Sequence, residues 1–150
     1  LRGRFSTDYP RRPLADFIME HAPRPVDVVD PTLLIRINRQ FRYGMSAEAL
    51  YESTRGIWVV GERRNRAKFA MAVYAGIVRE VYEIVSWHHA GTTTYSTRSQ
   101  AELAKQKNKR WEFIGNVASE PERSRYIGRS VAHLSRAGQQ SPVVGIGLDG

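Results

Sequence analysis

The chain has no cysteine, which removes disulfides, thiolate chemistry and a cysteine-held zinc site, and fits a reducing, cytoplasmic setting. It has no run of about eighteen apolar residues, so no membrane-spanning helix is expected. Its opening stretch, LRGRFSTDYP, lacks the apolar core of a secretory signal. Acid is scarce: 15 Asp and Glu stand against 23 Lys and Arg. The carboxylates do not cluster, which argues against a two-metal nuclease. The adjacent pair His88–His89 has no third ligand at a recognised spacing, and neighbours in extended chain point to opposite sides. Neither a metal site nor a cofactor is expected.

What remains is a formal charge of +8 on 150 residues. A surplus of that size attracts polyanions, nucleic acid first among them. An apolar fraction of 41% supplies a core for one domain and excludes wholesale disorder.

Prolines at 10, 13, 23, 25 and 31 make residues 1–31 an extended arm, interrupted at most by a short helix over 14–22. The globular domain is expected over 32–150, with a helical lead-in at 32–55 and a β-rich core at 56–148. In the lead-in, Leu33, Leu34, Ile37 and Phe41 fall at helical spacing after Pro31, and Gly44 closes that helix. Ser46 then caps a second helix with Glu48 in its first turn, ending at Gly56. From there the period changes. GIWVVG, AKFAMAVY, IVREVYEIV, RWEFIGNVA and PVVGIGL read as strands, with Ala75-Gly76 as a tight hairpin link. A charged helix, AELAKQKNK, precedes the fourth run, and SEPERSR follows it as a turn. This order is α+β, and short strands flanked by glycine suggest a small, strongly bent β-barrel with flanking helices.

The stretch SWHHAGTTTYSTRSQ, residues 86–100, is polar and aperiodic. Around it lie the basic clusters GERRNRAK, with Arg63, Arg64 and Arg66, and KQKNKR, with Lys107, Lys109 and Arg110. Guanidinium forks match phosphate oxygens, though a solvated hairpin end has the same composition. Aromatic rings interleaved with such charges suit base stacking. Trp58 and Tyr82, inside apolar runs, read as core, whereas Trp87 and Tyr95 sit in polar surroundings.

The succession GIWVV, AKFAMAVYAGIVREVYEIVSW, RWEFIGNVA resembles the PUA-like superfamily, which includes the EVE, ASCH and YTH domains, over about residues 56–148. The resemblance implies a compact bent barrel that binds RNA or holds a modified base in a pocket. In such a barrel residues 86–100 would arch over the mouth. Trp87 would stack on a flipped or single-stranded base, and Thr92, Thr93, Thr94, Tyr95 and Ser96 would read or flank it. Arg98 and Arg110 would hold phosphates. The expected function is therefore a nucleic-acid-binding module for RNA or DNA. The alternative is a metal-independent nuclease or other nucleic-acid-modifying enzyme using His88 or His89, whose imidazoles titrate near neutrality, with Glu112.

Overall fold

The computed structural model describes residues 24–105, 109–135 and 139–149; the predicted helix over 14–22 lies outside them. In chain order the elements are β1 (Thr32–Arg36), α1 (Ala47–Arg55), β2 (Phe69–Tyr74), β3 (Ile77–His89), α2 (Gln100–Ala104), β4 (Trp111–Val117), α3 (Glu122–Tyr126) and β5 (Val143–Ile146). Two short 3-10 turns, Glu62–Arg66 and Ala132–Leu134, complete them. The strands form one mixed sheet in the order β4-β3-β2-β1-β5. The chain is thus α+β, as expected. The sheet is not closed, since β4 and β5 form its opposite edges, so the expected barrel is not the arrangement of these strands.

The first predicted helix is instead β1, an interior strand of this order between β2 and β5. β1 runs parallel to β2 and antiparallel to β5. Leu33, Ile35 and Ile37 enter the core on one face of the sheet, and Leu34 enters the core on the other. An apolar run buried on both sides has no polar face to reveal its period, so helical spacing and strand alternation both match it. The parallel β1–β2 pair is joined through α1. Ser46 accepts a hydrogen bond from Ala49 N at 3.0 Å, as its capping role requires. The following turn buries Glu52, Ser53, Thr54 and Arg55.

GIWVVG makes a single bridge, Trp58 to Trp111, rather than a strand, and Val59 is exposed. SEPERSR turns as expected and then forms most of α3. Residues 24–31 lie against the globular unit: Val26 and Val28 pack on the second core, and Val26 N donates to Ser130 O at 3.0 Å. Among the described residues no helix is long and apolar enough to cross a membrane.

β3 is the longest strand and absorbs the first four residues of the stretch read as a loop. A bulge between Ile84 and Ser86 inserts Val85, which is exposed. The extra residue turns Trp87 back to the face already occupied by Tyr82 and Ile84. Strict alternation would have sent it to the other side.

The β2–β3 hairpin turns at Ala75 and Gly76, with φ of 53° and 75°. Both residues are left-handed, which suits Asn-Gly better than Ala-Gly. Ala75 is exposed, so Ala75→Asn should stabilise the fold by about 0.5–1 kcal/mol in a urea melt.

Candidate nucleic-acid interface

The polar loop after β3 is bolted down from beneath. Glu112, on the edge strand β4, is fully buried. Its Oε1 accepts from Gly91 N at 2.6 Å and from Tyr95 Oη at 3.1 Å, and its Oε2 accepts from Thr93 N at 2.8 Å and from the Thr93 hydroxyl. Arg55, 2% exposed at the end of α1, donates to Thr93 Oγ1 and to Thr94 O, each at 2.7 Å. Its guanidinium lies 3.8 Å from the Tyr95 ring centroid. The Thr93 hydroxyl thus accepts from a buried cation and donates to a buried anion. Burial pushes the Tyr95 phenol pKa up, with the Glu112 charge adding to the rise against the pull of Arg55, so the phenol keeps its proton and donates.

One turn earlier on α1, Glu52 accepts from Ser96 N at 2.8 Å, Thr97 N at 2.7 Å and Thr97 Oγ1 at 2.6 Å. Burial opposes its charge, but the Thr97 hydroxyl and the two amides together outweigh that and hold the carboxyl below its ordinary value. Arg98 returns the contact, donating to Glu52 O at 2.9 Å and to Gly56 O; burial lowers its pKa.

Beside this loop opens a cleft of about 640 Å³, within the range of small-molecule and nucleotide sites. Arg36, Arg39, Arg98 and Arg110 line it. Asn38, Gln40, Gln139 and Gln140 line it with them, and Ile57, Trp58 and Pro142 supply apolar wall. No Asp or Glu is among the described lining residues. Past Pro142 a smaller recess of about 80 Å³ carries Arg63 and Arg64.

The cleft therefore includes two of the residues singled out in the sequence, Arg98 and Arg110. The others lie elsewhere. Trp87 is half-buried; its indole N–H donates to Arg64 O at 3.1 Å and its ring meets Phe113 edge-on at 5.4 Å. Thr93 and Tyr95 are engaged in holding the loop, Thr92 Oγ1 donates to His89 O at 2.6 Å, and Thr94 and Ser96 give their backbones to Arg55 and Glu52. His88 Nε2 is 2.8 Å from Ser86 Oγ. His89 stacks on Trp111 at 4.2 Å, and Arg64 lies 3.6 Å from the same ring centroid. Arg66 donates to Leu148 O at 3.1 Å, Lys109 is exposed, and Lys107 lies outside the described residues. No group of three His, Cys, Asp or Glu among the described residues is placed to hold a metal ion.

Arg36, Arg39 and the carboxamides were not singled out in the sequence. They flank apolar runs, in RINRQ and QQSP, and become neighbours only because Arg36 N donates to Pro142 O at 2.8 Å as β1 pairs with β5.

Two expectations follow from the anchoring. A Cβ on Gly56 would meet Tyr95 Oη and lie 2.9 Å from Glu112 Cβ, so Gly56→Ala should cost about 1–3 kcal/mol of stability by urea denaturation. The lowered Glu52 pKa stabilises the fold above the ordinary carboxylate value of 4.5, and that contribution is lost as pH falls through the lower native value. Glu52→Gln should flatten this acid limb when denaturation is measured across a pH series.

Compared with protein-family models, curated proteins and solved structures, the chain matches none.

Proposed function

We propose that this chain is a nucleic-acid-binding module that seats phosphates in the four-arginine cleft. The observation that carries the reading is the lining itself: four arginines line one concavity, and no Asp or Glu is among its described lining residues. Planar guanidinium forks match phosphate oxygens in pairs. The Asn and Gln residues of the same lining carry carboxamides, which both donate and accept, as contacts to base edges require. The net charge of +8 adds a long-range attraction of the same sign. A modified or flipped base held between carboxamides and the apolar wall is the finer form of this proposal, as are its PUA-like character and a cytoplasmic setting.

The catalytic alternative draws less support. None of His88, His89 and Glu112 lines the cleft. Both Glu112 oxygens already accept two hydrogen bonds each, which leaves no evident lone pair for a substrate proton.

Anisotropy titrations with labelled single- and double-stranded RNA and DNA test the reading. Four neutralised phosphates on a single strand give a slope of log K against log salt of about −3. Arg39→Ala and Arg110→Ala should each reduce that slope by about 0.7 and weaken binding severalfold. Absence of binding at low salt, or a slope unchanged in both variants, would contradict the proposal.

A further inference from the structure

Next to the cleft, three side chains form a stack that the phosphate reading leaves unused. The His89 ring lies 4.2 Å from Trp111 at an interplanar angle of 29°, and the Arg64 guanidinium sits 3.6 Å from the Trp111 centroid. His89 is the exposed member, while Trp111 and Arg64 are half-buried. The stack is rigidly mounted. Arg64 Nη1 donates to Gly61 O at 2.9 Å, and His89 faces Trp111 across the β3–β4 ladder.

The mounting is continuous with the cleft. Trp58, part of the cleft wall, exchanges backbone hydrogen bonds with Trp111 at 3.0 and 2.8 Å. Arg110, another lining residue, immediately precedes Trp111, and its carbonyl accepts from Ala90 N, next to His89, at 3.0 Å. A ring platform and a phosphate-holding concavity therefore share one piece of backbone.

We infer that the partner is a single-stranded nucleic acid, and that the His89 ring is the platform on which a base stacks while neighbouring phosphates occupy the cleft. The inference rests on the cleft being the phosphate site. A duplex keeps its base faces covered by stacking and presents phosphates on a convex surface. An unpaired strand offers both a free π-face and a backbone that enters a concavity. The imidazole, already seated on an indole, lies parallel enough to continue a stack.

The test compares a short oligothymidylate, the same strand with its bases removed, its duplex with oligoadenylate, and oligouridylate. Wild-type protein should bind oligothymidylate about five- to tenfold more tightly than the abasic strand. The duplex should bind more weakly than either base-bearing single strand. His89→Ala should bind the abasic strand as wild type does and lose the discrimination. His89→Phe, which restores a ring, should recover it. His89 is exposed, and melting curves on each variant are to check that it is folded. Equal wild-type affinity for the two thymidylate strands, or discrimination that persists in His89→Ala, overturns the platform. A duplex bound as tightly as the single strands overturns the single-strand preference and leaves the phosphate site standing. No binding to any probe overturns both. The oligouridylate arm separates RNA from DNA as the source of the strand.

Discussion

A buried carboxylate, Glu112, and a buried guanidinium, Arg55, meet through the hydroxyl of Thr93 and the ring of Tyr95. Two charges withdrawn from water in this way are tolerated only when their hydrogen-bonding capacity is used. Here both carboxylate oxygens are filled, and the guanidinium keeps only its Nε without a partner. Such a network contributes little net stability over an apolar core of the same shape, but losing one member strands the other. It fixes one arrangement of three pieces of chain: the end of α1, the loop after β3 and the edge strand β4.

The same end of α1 sets the wall of the cleft. Glu52 holds the 96–97 backbone, Arg98 closes onto Glu52 O and Gly56 O, and Ile57 and Trp58 follow directly. Tyr51 Oη accepts from Gly115 N at 2.9 Å, and Arg55 donates to Phe113 O at 3.4 Å. α1 thereby satisfies backbone groups on the outer edge of β4 that would otherwise be open to pairing with another chain. One short helix thus protects a sheet edge, anchors a loop and positions a cleft.

The helix α1, its cap, the hairpin at Ala75-Gly76, β2, β4 and β5 were legible in the sequence, because capping residues and alternation are local signals. β1 was not: apolar on both faces, it carries no phase. Trp87 illustrates a second limit. Its polar neighbours suggested exposure, but the bulge at Val85 returns the ring to the core side, and nothing in EIVSW announces an extra residue. Arg98 and Arg110 drew notice because one lies inside the odd loop and the other in the basic run after it. Arg36 and Arg39 were missed because their partners across the cleft lie near the other end of the chain, brought there by sheet register. The Thr and Ser hydroxyls signalled a special loop, and several serve to hold it in place.

The interior position of β1 has a consequence for synthesis. Its neighbour on one side is β2, but its neighbour on the other is β5, the last strand among the described residues. A nascent chain emerging from the ribosome can pair the first four strands while β1 still shows an open backbone edge, flanked by apolar side chains on both faces. That edge is covered only when residues 143–146 arrive. A strand of this kind left waiting is a template for other chains. Strand β5 therefore acts as the closing piece that ends the period in which a newly made molecule is prone to join its neighbours.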